Sequence, residues 1–283
     1  MRSPENPGRF SWLESSMTKS SIRRKVIMDK NETRKKKMNI ALIGATGKTG
    51  SHVLRTALAR GHSVTALVRG AGRITPVNQL HIIEGSGTDA EALAKLVGDA
   101  DAVIVTVNHM VNRPGLSTHR DVAAAVCKAI RDTCPSAHLV MQTSASHGLP
   151  GFENSAGRVM TAMMGFMLDH VIADHRAAEQ LLQTAGEVER YTVLCPPRIV
   201  DAPAVGDLVL GVNELPQGTF TVTYQDMANV LVDEVENAGH MRQRVGVNGT
   251  REVKDVVKRS SAEPRRLLWQ NIRMKVLRLG PPD

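Results

Sequence analysis

Aromatic residues are scarce: two Trp, two Tyr and four Phe make up 3% of the 283 residues. So few rings argue against a nucleic-acid surface built on stacked bases. Only three cysteines occur, Cys127, Cys134 and Cys195, and no CxxC pair is among them. An odd, dispersed set argues against a disulfide framework or a zinc site and reads as buried, reduced thiols of a cytoplasmic protein. Long hydrophobic runs are missing too. The longest apolar stretch, Val159 to Leu168, stops at Asp169 and is too short to span a bilayer. No charged-then-apolar leader pattern opens the chain.

The middle of the chain lacks the positive excess that the whole shows. The net charge is +8, but residues 1–38 hold +7 and residues 250–283 hold +5, which leaves 39–249 at −4. The pI of 9.7 therefore says little about the chemistry of the folded part. Residues 1–37, with the clusters RRK (23–25) and RKKK (34–37), show no apolar period and read as a basic, disordered tail. Contact with nucleic acid or a membrane surface is the alternative use of such a tail. Met38 stands directly before the first strand, so a start assigned too far upstream would also explain the segment. In 250–283, Leu267, Leu268, Ile272, Val276 and Leu279 sit near helical spacing among basic residues. That pattern reads as a loosely attached C-terminal extension with an amphipathic helix.

What remains, 38–249, alternates strand and helix. Short buried strands are expected at Asn39–Ile43, Val64–Val68, Leu80–Ile83, Ala102–Val107, His138–Met141 and Tyr191–Leu194. Helical spacing covers Thr49–Ala59, Asp89–Val97, Thr118–Asp132 and one long run from Arg158 to Thr184. Strands separated by such helices imply right-handed crossovers and a doubly wound, mostly parallel α/β sheet covered on both faces.

The segment Gly44-Ala-Thr46-Gly47-Lys48-Thr49-Gly50 follows the first strand and opens the first helix. Glycines at a turn this tight let backbone N–H groups approach a pyrophosphate at the positive helix end. The spacing is G-x-x-G-x-x-G. A P-loop would need glycine at position 42, which is Leu42, so that reading fails.

With these residues in view, the chain resembles the atypical short-chain dehydrogenase/reductase group with NAD(P)-binding Rossmann domains. It is most similar to the biliverdin reductase B/flavin reductase type and more distantly to NmrA-like proteins. The likeness covers roughly 38–249. It rests on GATGKTG, Val68-Arg69, the Asp101–Val105 segment, Thr143-Ser144-Ala145, Asp174-His175 with Glu179, and Tyr191–Pro197. It implies a dinucleotide held by Gly44, Thr46, Gly47, Lys48, Thr49 and Gly50. Ser86, Gly87, Val107, Thr143 and Pro196 complete the cofactor set. Gly85-Ser86-Gly87 departs from the Gly-Asp of relatives beside the adenine.

Cofactor choice is a question of charge at the end of the second strand. Arg69 and Arg73 stand there, with no acid from Ser63 to Gln79. A guanidinium matches a 2′-phosphate and a carboxylate matches ribose hydroxyls, so NADP is expected, with NADPH preferred over NADH.

The Tyr-x-x-x-Lys pair of common short-chain dehydrogenases is absent: Cys195 follows Tyr191 by four positions, and Ala228 follows Tyr224. That absence suits acceptors such as flavins, quinones or tetrapyrroles, to which solvent can supply the proton. The resemblance assigns the reacting end to Ser144 and His175. Glu179, one helical turn beyond His175, is placed to hold its imidazole. Arg198 follows Pro196-Pro197 where relatives can carry histidine, and an arginine does not deprotonate. Met160, Met163, Met164 and Met167 form a helical stripe, read as core packing or as an apolar wall over a flat acceptor. The expected function is an NAD(P)H-dependent reductase of a small-molecule acceptor, without a metal. An NmrA-like NADP(H)-binding regulator without turnover is the alternative.

Overall fold

Runs of buried Val, Ile, Leu and Ala set the sheet in this computed structural model, which describes residues 36–70, 72, 74–108, 112–184 and 188–253 and the backbone of 24–25. Arg73 and residues 254–283 lie outside the described residues, as does most of the N-terminal segment. In chain order the first half comprises β1 (Arg24–Lys25), β2 (Asn39–Ile43), α1 (Lys48–Ala59), β3 (Ser63–Val68), β4 (Leu80–Glu84), α2 (Ala90–Val97), β5 (Ala102–Val105) and α3 (Thr118–Thr133). There follow β6 (His138–Gln142), a 3-10 turn (Ala145–His147), α4 (Phe152–Ala156), α5 (Arg158–Met167), α6 (Asp169–Thr184) and β7 (Tyr191–Cys195). The last part holds β8 (Ile199–Val200), β9 (Leu208–Val212), β10 (Val222–Thr223), α7 (Tyr224–Asn237) and β11 (Gln243–Gly249).

The main sheet runs β1-β9-β11-β7-β6-β5-β2-β3-β4. It is parallel from β4 through β11, and β9 and β1 add antiparallel pairings at the far edge. The small strands β8 and β10 pair with each other in parallel. Strand residues alternate between two cores, as the pleat requires. Ala41 and Ile43 face the layer of α2, α3 and α6, whereas Ile40 and Leu42 face that of α1 and α7. The chain winds outward from β2 through β3 to β4 and then returns to β5 on the other side of β2, so a crevice opens at the carboxyl ends of β2 and β5.

The expected doubly wound α/β sheet is therefore present, with three local differences. The fourth strand ends at Val105, and Thr106 instead donates its N–H to Ile43 O, 2.9 Å away, beside the glycine loop. The helical run from Arg158 to Thr184 is two helices, because Leu168 leaves helical geometry (φ −122°, ψ 22°). Asn112 Oδ1 then accepts from His170 N (2.9 Å) and Val171 N (3.1 Å), which caps the start of α6 from another part of the chain. The strands and helix after Cys195 were not anticipated. No described helix is long and apolar enough to cross a membrane.

Candidate functional site

The glycine loop is built by close backbone approach. Gly44 has φ +93° and its carbonyl accepts from Gly47 N at 2.9 Å. A Cβ on Gly50 would lie 2.0 Å from Gly44 O and 2.8 Å from Thr106 Oγ1, so α1 can start against β2 only with glycine there. Gly47 is the N-cap of α1, no side chain caps that end, and its first turn holds no acid. The positive end of α1, exposed at Thr46, Gly47 and Lys48 with Thr49 and Gly50 buried beneath, is thus left for an anionic ligand. This donor set fits the pyrophosphate of a dinucleotide.

The other expected cofactor residues gather at the same sheet edge. Arg69 is exposed directly after β3, Ser86 and Gly87 follow β4, Val107 follows β5, and buried Pro196 follows β7. Ser86 Oγ is 3.0 Å from Thr88 Oγ1. Glu84, in register with Val68, brings one carboxylate to this edge. Thr143 sits at the edge as well, but its buried hydroxyl donates downward to Glu179 Oε1 at 2.6 Å.

At the reacting end, Ser144 is half-buried and caps the 3-10 turn, its Oγ accepting from Ser146 N at 3.3 Å and lying 2.8 Å from Ser146 Oγ. His175 is buried, and its Nδ1 has no hydrogen-bond partner among the described residues. The expectation that Glu179 holds His175 is corrected. Glu179 points instead to His147, with Nε2 2.7 Å from Oε1, and its Oε2 lies 2.8 Å from Arg244 Nε. One helical turn separates the two residues, and Glu179 turns to the cation and donors beneath the sheet edge. The His175 ring packs against His119 at a ring-centroid distance of 3.7 Å and a tilt of 38°, and the His147 ring is 6.0 Å away.

Burial dominates the electrostatics. It would raise the Asp174 carboxyl, but bonds from the His119 ring and the His119 and Arg120 amides prevail and hold it at about 2. Burial likewise opposes ionisation of Glu179, yet His147, Thr143 and Arg244 keep its carboxyl below the usual range. Burial, then the neighbouring His119 and His147, push the His175 imidazole well below its ordinary value. The Cys195 thiol is pushed up, first by burial and then by the Glu179 charge. His147, Glu179 and Cys195 bring ligand atoms within 4.8 Å of one another. A cation there would have to displace Arg244 and strip a thiol that favours its proton, so the cluster is a buried ion network.

His119, His147 and Arg244 were missed in the sequence. His119 was findable: it begins the buried stripe continued by Val122, Ala123, Val126 and Ile130 on α3. A histidine on such a stripe needs a buried partner, here Asp174. The methionine stripe divides. Met164 packs against the core, whereas Met160 and Met163 are exposed together with Val159 and Phe166, so core packing does not describe the whole stripe. Helix α5 follows α4, touches the Ser144 turn and precedes the helix of His175, and none of its residues is buried.

A family model described as NAD(P)H-binding matches residues 44–238. YwnB of Bacillus subtilis (strain 168) is 28% identical over 218 residues, which span 74% of this chain and 98% of that protein. Averufin oxidase stcO of Emericella nidulans is 26% identical over 242 residues, 74% of this chain and 82% of its own length. The solved structure of SP1627 from Streptococcus pneumoniae TIGR4, described as an NADH-flavin reductase, matches with a TM-score of 0.60 at 20% identity. It covers 75% of this chain and 100% of that one, a likeness of fold.

Proposed function

The chain belongs to the NAD(P)H-binding family, an oxidoreductase-like group, and from that premise we propose that it is an NADPH-dependent reductase of a flat, apolar acceptor such as a flavin, quinone or tetrapyrrole. The observation that carries this reading is the uncapped, glycine-lined start of α1 sharing one sheet edge with the Ser144 turn, whose His147 ring lies 6.0 Å from that of His175. The loop Gly44–Gly50 holds the pyrophosphate, Arg69 with Arg73 the 2′-phosphate, and Ser86 and Gly87 flank the adenine. Val107, the Thr143 backbone and Pro196 border the nicotinamide. The bound dinucleotide supplies the hydride.

The chain's own contribution is to seat and shield the acceptor, a positioning effect. Ser144 Oγ offers a hydrogen bond at the edge where ligands of open parallel sheets bind. The exposed apolar face of α5, with Met160 at 44% and Met163 at 48% exposure, supports an adaptable wall for a flat ring system. Averufin oxidase stcO is named for an oxidation, which is consistent with redox chemistry at this site.

Two assays test the reading. NADPH oxidation measured against flavins, quinones and tetrapyrroles should find an acceptor, and none being reduced would leave the non-catalytic regulator reading in its place. Titration should show tighter binding of NADPH than NADH, and Arg69→Ala should weaken NADPH selectively by about 1.5–3 kcal/mol. Equal affinities in the unmodified protein would refute the 2′-phosphate assignment and point to Glu84 as the stronger influence at that edge.

A further inference from the structure

Arg198 follows β7 and Pro196-Pro197, is exposed, and has no side-chain hydrogen bond or ion pair among the described residues. Other guanidinium groups of the fold are engaged: Arg60 with Asp233 and Glu236, Arg158 with Glu153, Arg244 with Glu179, and Arg251 with Asp207. The Arg198 backbone is nonetheless held. Ala145 N donates to Pro196 O (2.9 Å), which ties the segment to the Ser144 turn. Val222 N donates to Arg198 O (2.8 Å), which ties it to β10. Ile199 packs into the core shared with α1 and α7, and alternation along β8 leaves Arg198 on the other side. A fixed backbone thus carries an uncommitted guanidinium at the carboxyl edge, where open parallel sheets bind their ligands.

The surroundings define what that group would meet. Strands β7, β6 and β5 are neighbours in the sheet, so Arg198 follows the strand on one side of Ser144 and Arg113 follows the strand on the other. Arg113 is also exposed, with no side-chain partner among the described residues, and its neighbour Asn112 is bonded to the start of α6. Two guanidinium groups therefore flank the turn and make its rim positive. The buried acids nearby are occupied, Asp174 by His119 and Arg120 and Glu179 by His147, Thr143 and Arg244. A further part of the rim is apolar. Phe152 at the start of α4 packs on Phe220, 5.2 Å between centroids and two residues before Val222. Helix α4 then leads into α5 with its exposed Met160, Met163 and Phe166.

A planar fork of N–H donors matches the paired oxygens of a carboxylate or phosphate, and no neutral ring oxygen offers it the same charge-assisted bonds. We propose that Arg198 binds an anionic group carried by the acceptor, so that the site selects flat apolar rings bearing a carboxylate or phosphate arm over uncharged rings. This deepens, and rests on, the reductase reading above. The ring lies against Ser144 and the α5 face, the arm reaches Arg198, and Arg113 adds attraction from across the turn. Anchoring the arm fixes how the ring is presented to the dinucleotide, a positioning effect. Arg69, after β3, remains with the 2′-phosphate, so guanidinium groups at separate strand ends serve the two ligands.

The test uses the full chain and two matched acceptor pairs: flavin mononucleotide with riboflavin, and a naphthoquinone bearing a carboxylate side chain with its methyl ester. Each pair shares a ring and differs in one anionic group. With NADPH as donor, kcat/KM should favour the charged member by roughly ten- to a hundredfold, mainly through KM. The preference should shrink as salt is raised. Arg198→Gln should bring the ratio close to one, and Arg198→Lys, which keeps the charge and loses the fork, should retain part of it. A preference in either pair supports the inference, and the pair that shows it names the anion. Equal kcat/KM within both pairs in the unmodified protein overturns it, as does a preference that Arg198→Gln leaves in place. A fall in NADPH affinity as large as the fall for the charged acceptor also overturns it, by assigning Arg198 to the cofactor. Fluorescence of flavin mononucleotide and of riboflavin, titrated with the NADP+-loaded protein, reads the same preference without turnover. If no acceptor is reduced, the reductase reading falls on its own, and this titration still decides the role of Arg198.

Discussion

Removing the Glu179 carboxylate should expose how much of the site's rigidity rests on one buried anion. Its two oxygens serve Thr143 (2.6 Å), His147 (2.7 Å) and Arg244 (2.8 Å), so Glu179→Ala strands three donors at once. Breaking a buried pair from one side costs about 3–5 kcal/mol. The Arg244 side chain keeps 21% exposure, so water recovers part of its charge and the lower end, about 3 kcal/mol, is expected. For a fold of this size that lowers Tm by roughly 6–12 °C. Glu179→Gln retains an acceptor oxygen for Thr143 and His147 but loses the charge, and should cost about 1–2 kcal/mol. Pairing Glu179→Ala with Arg244→Met should recover part of the loss, because the stranded cation is gone. Thermal and urea melts of the four proteins check this. A Glu179→Ala melt within about 2 °C of the parent, or no recovery in the double variant, would refute the reasoning.

Gly50→Ala should abolish measurable NADPH binding by titration, since its Cβ would lie 2.0 Å from Gly44 O and force the loop away from α1. The cost in stability should be about 1–3 kcal/mol. Burial, partly offset by Glu234, pushes His138 down to about 4 from 6.5, so the ring stays neutral in the fold while the unfolded chain takes a proton. Stability should therefore be full above pH 6.5 and decline by roughly 3 kcal/mol as the pH falls to 4. His138→Gln should flatten that decline in urea melts, and an unchanged slope would contradict the assignment. Met160→Ser combined with Met163→Ser should raise KM for apolar acceptors and leave NADPH affinity unchanged.

The sheet was legible because its strands are short, apolar and buried on both faces. Asn39–Ile43 read as a strand with its observed bounds, and Ala102–Val107 read as one that the structure ends two residues earlier, at Val105. The glycine loop was equally plain, since only glycine tolerates the approach at Gly50. The break between α5 and α6 was hidden because the residue that creates it, Asn112, lies 57 positions from its partner Asp169 and caps α6 through space. The segment after Cys195 was obscure for a different reason. Its strands β8 and β10 are only two residues long and take their partners from tertiary pairing. At the reacting end, the i, i+4 spacing of His175 and Glu179 suggested a pair. Spacing fixes only proximity along the helix, and the stronger claim of His147 and Arg244 on that carboxylate comes from the turn after β6 and from β11.

Single-turnover mixing of the NADPH-loaded protein with a quinone or flavin, using NADPH deuterated at the transferred position, tests the reductase reading most directly. The expected result is rapid loss of the bound dinucleotide's absorbance, a primary isotope effect and deuterium in the reduced acceptor where its exchange with solvent is slow. Ser144→Ala should slow that step by a factor of roughly ten to a hundred without abolishing it, as loss of a positioning hydrogen bond requires. Bound NADPH that stays reduced in the presence of every acceptor would contradict the enzyme assignment.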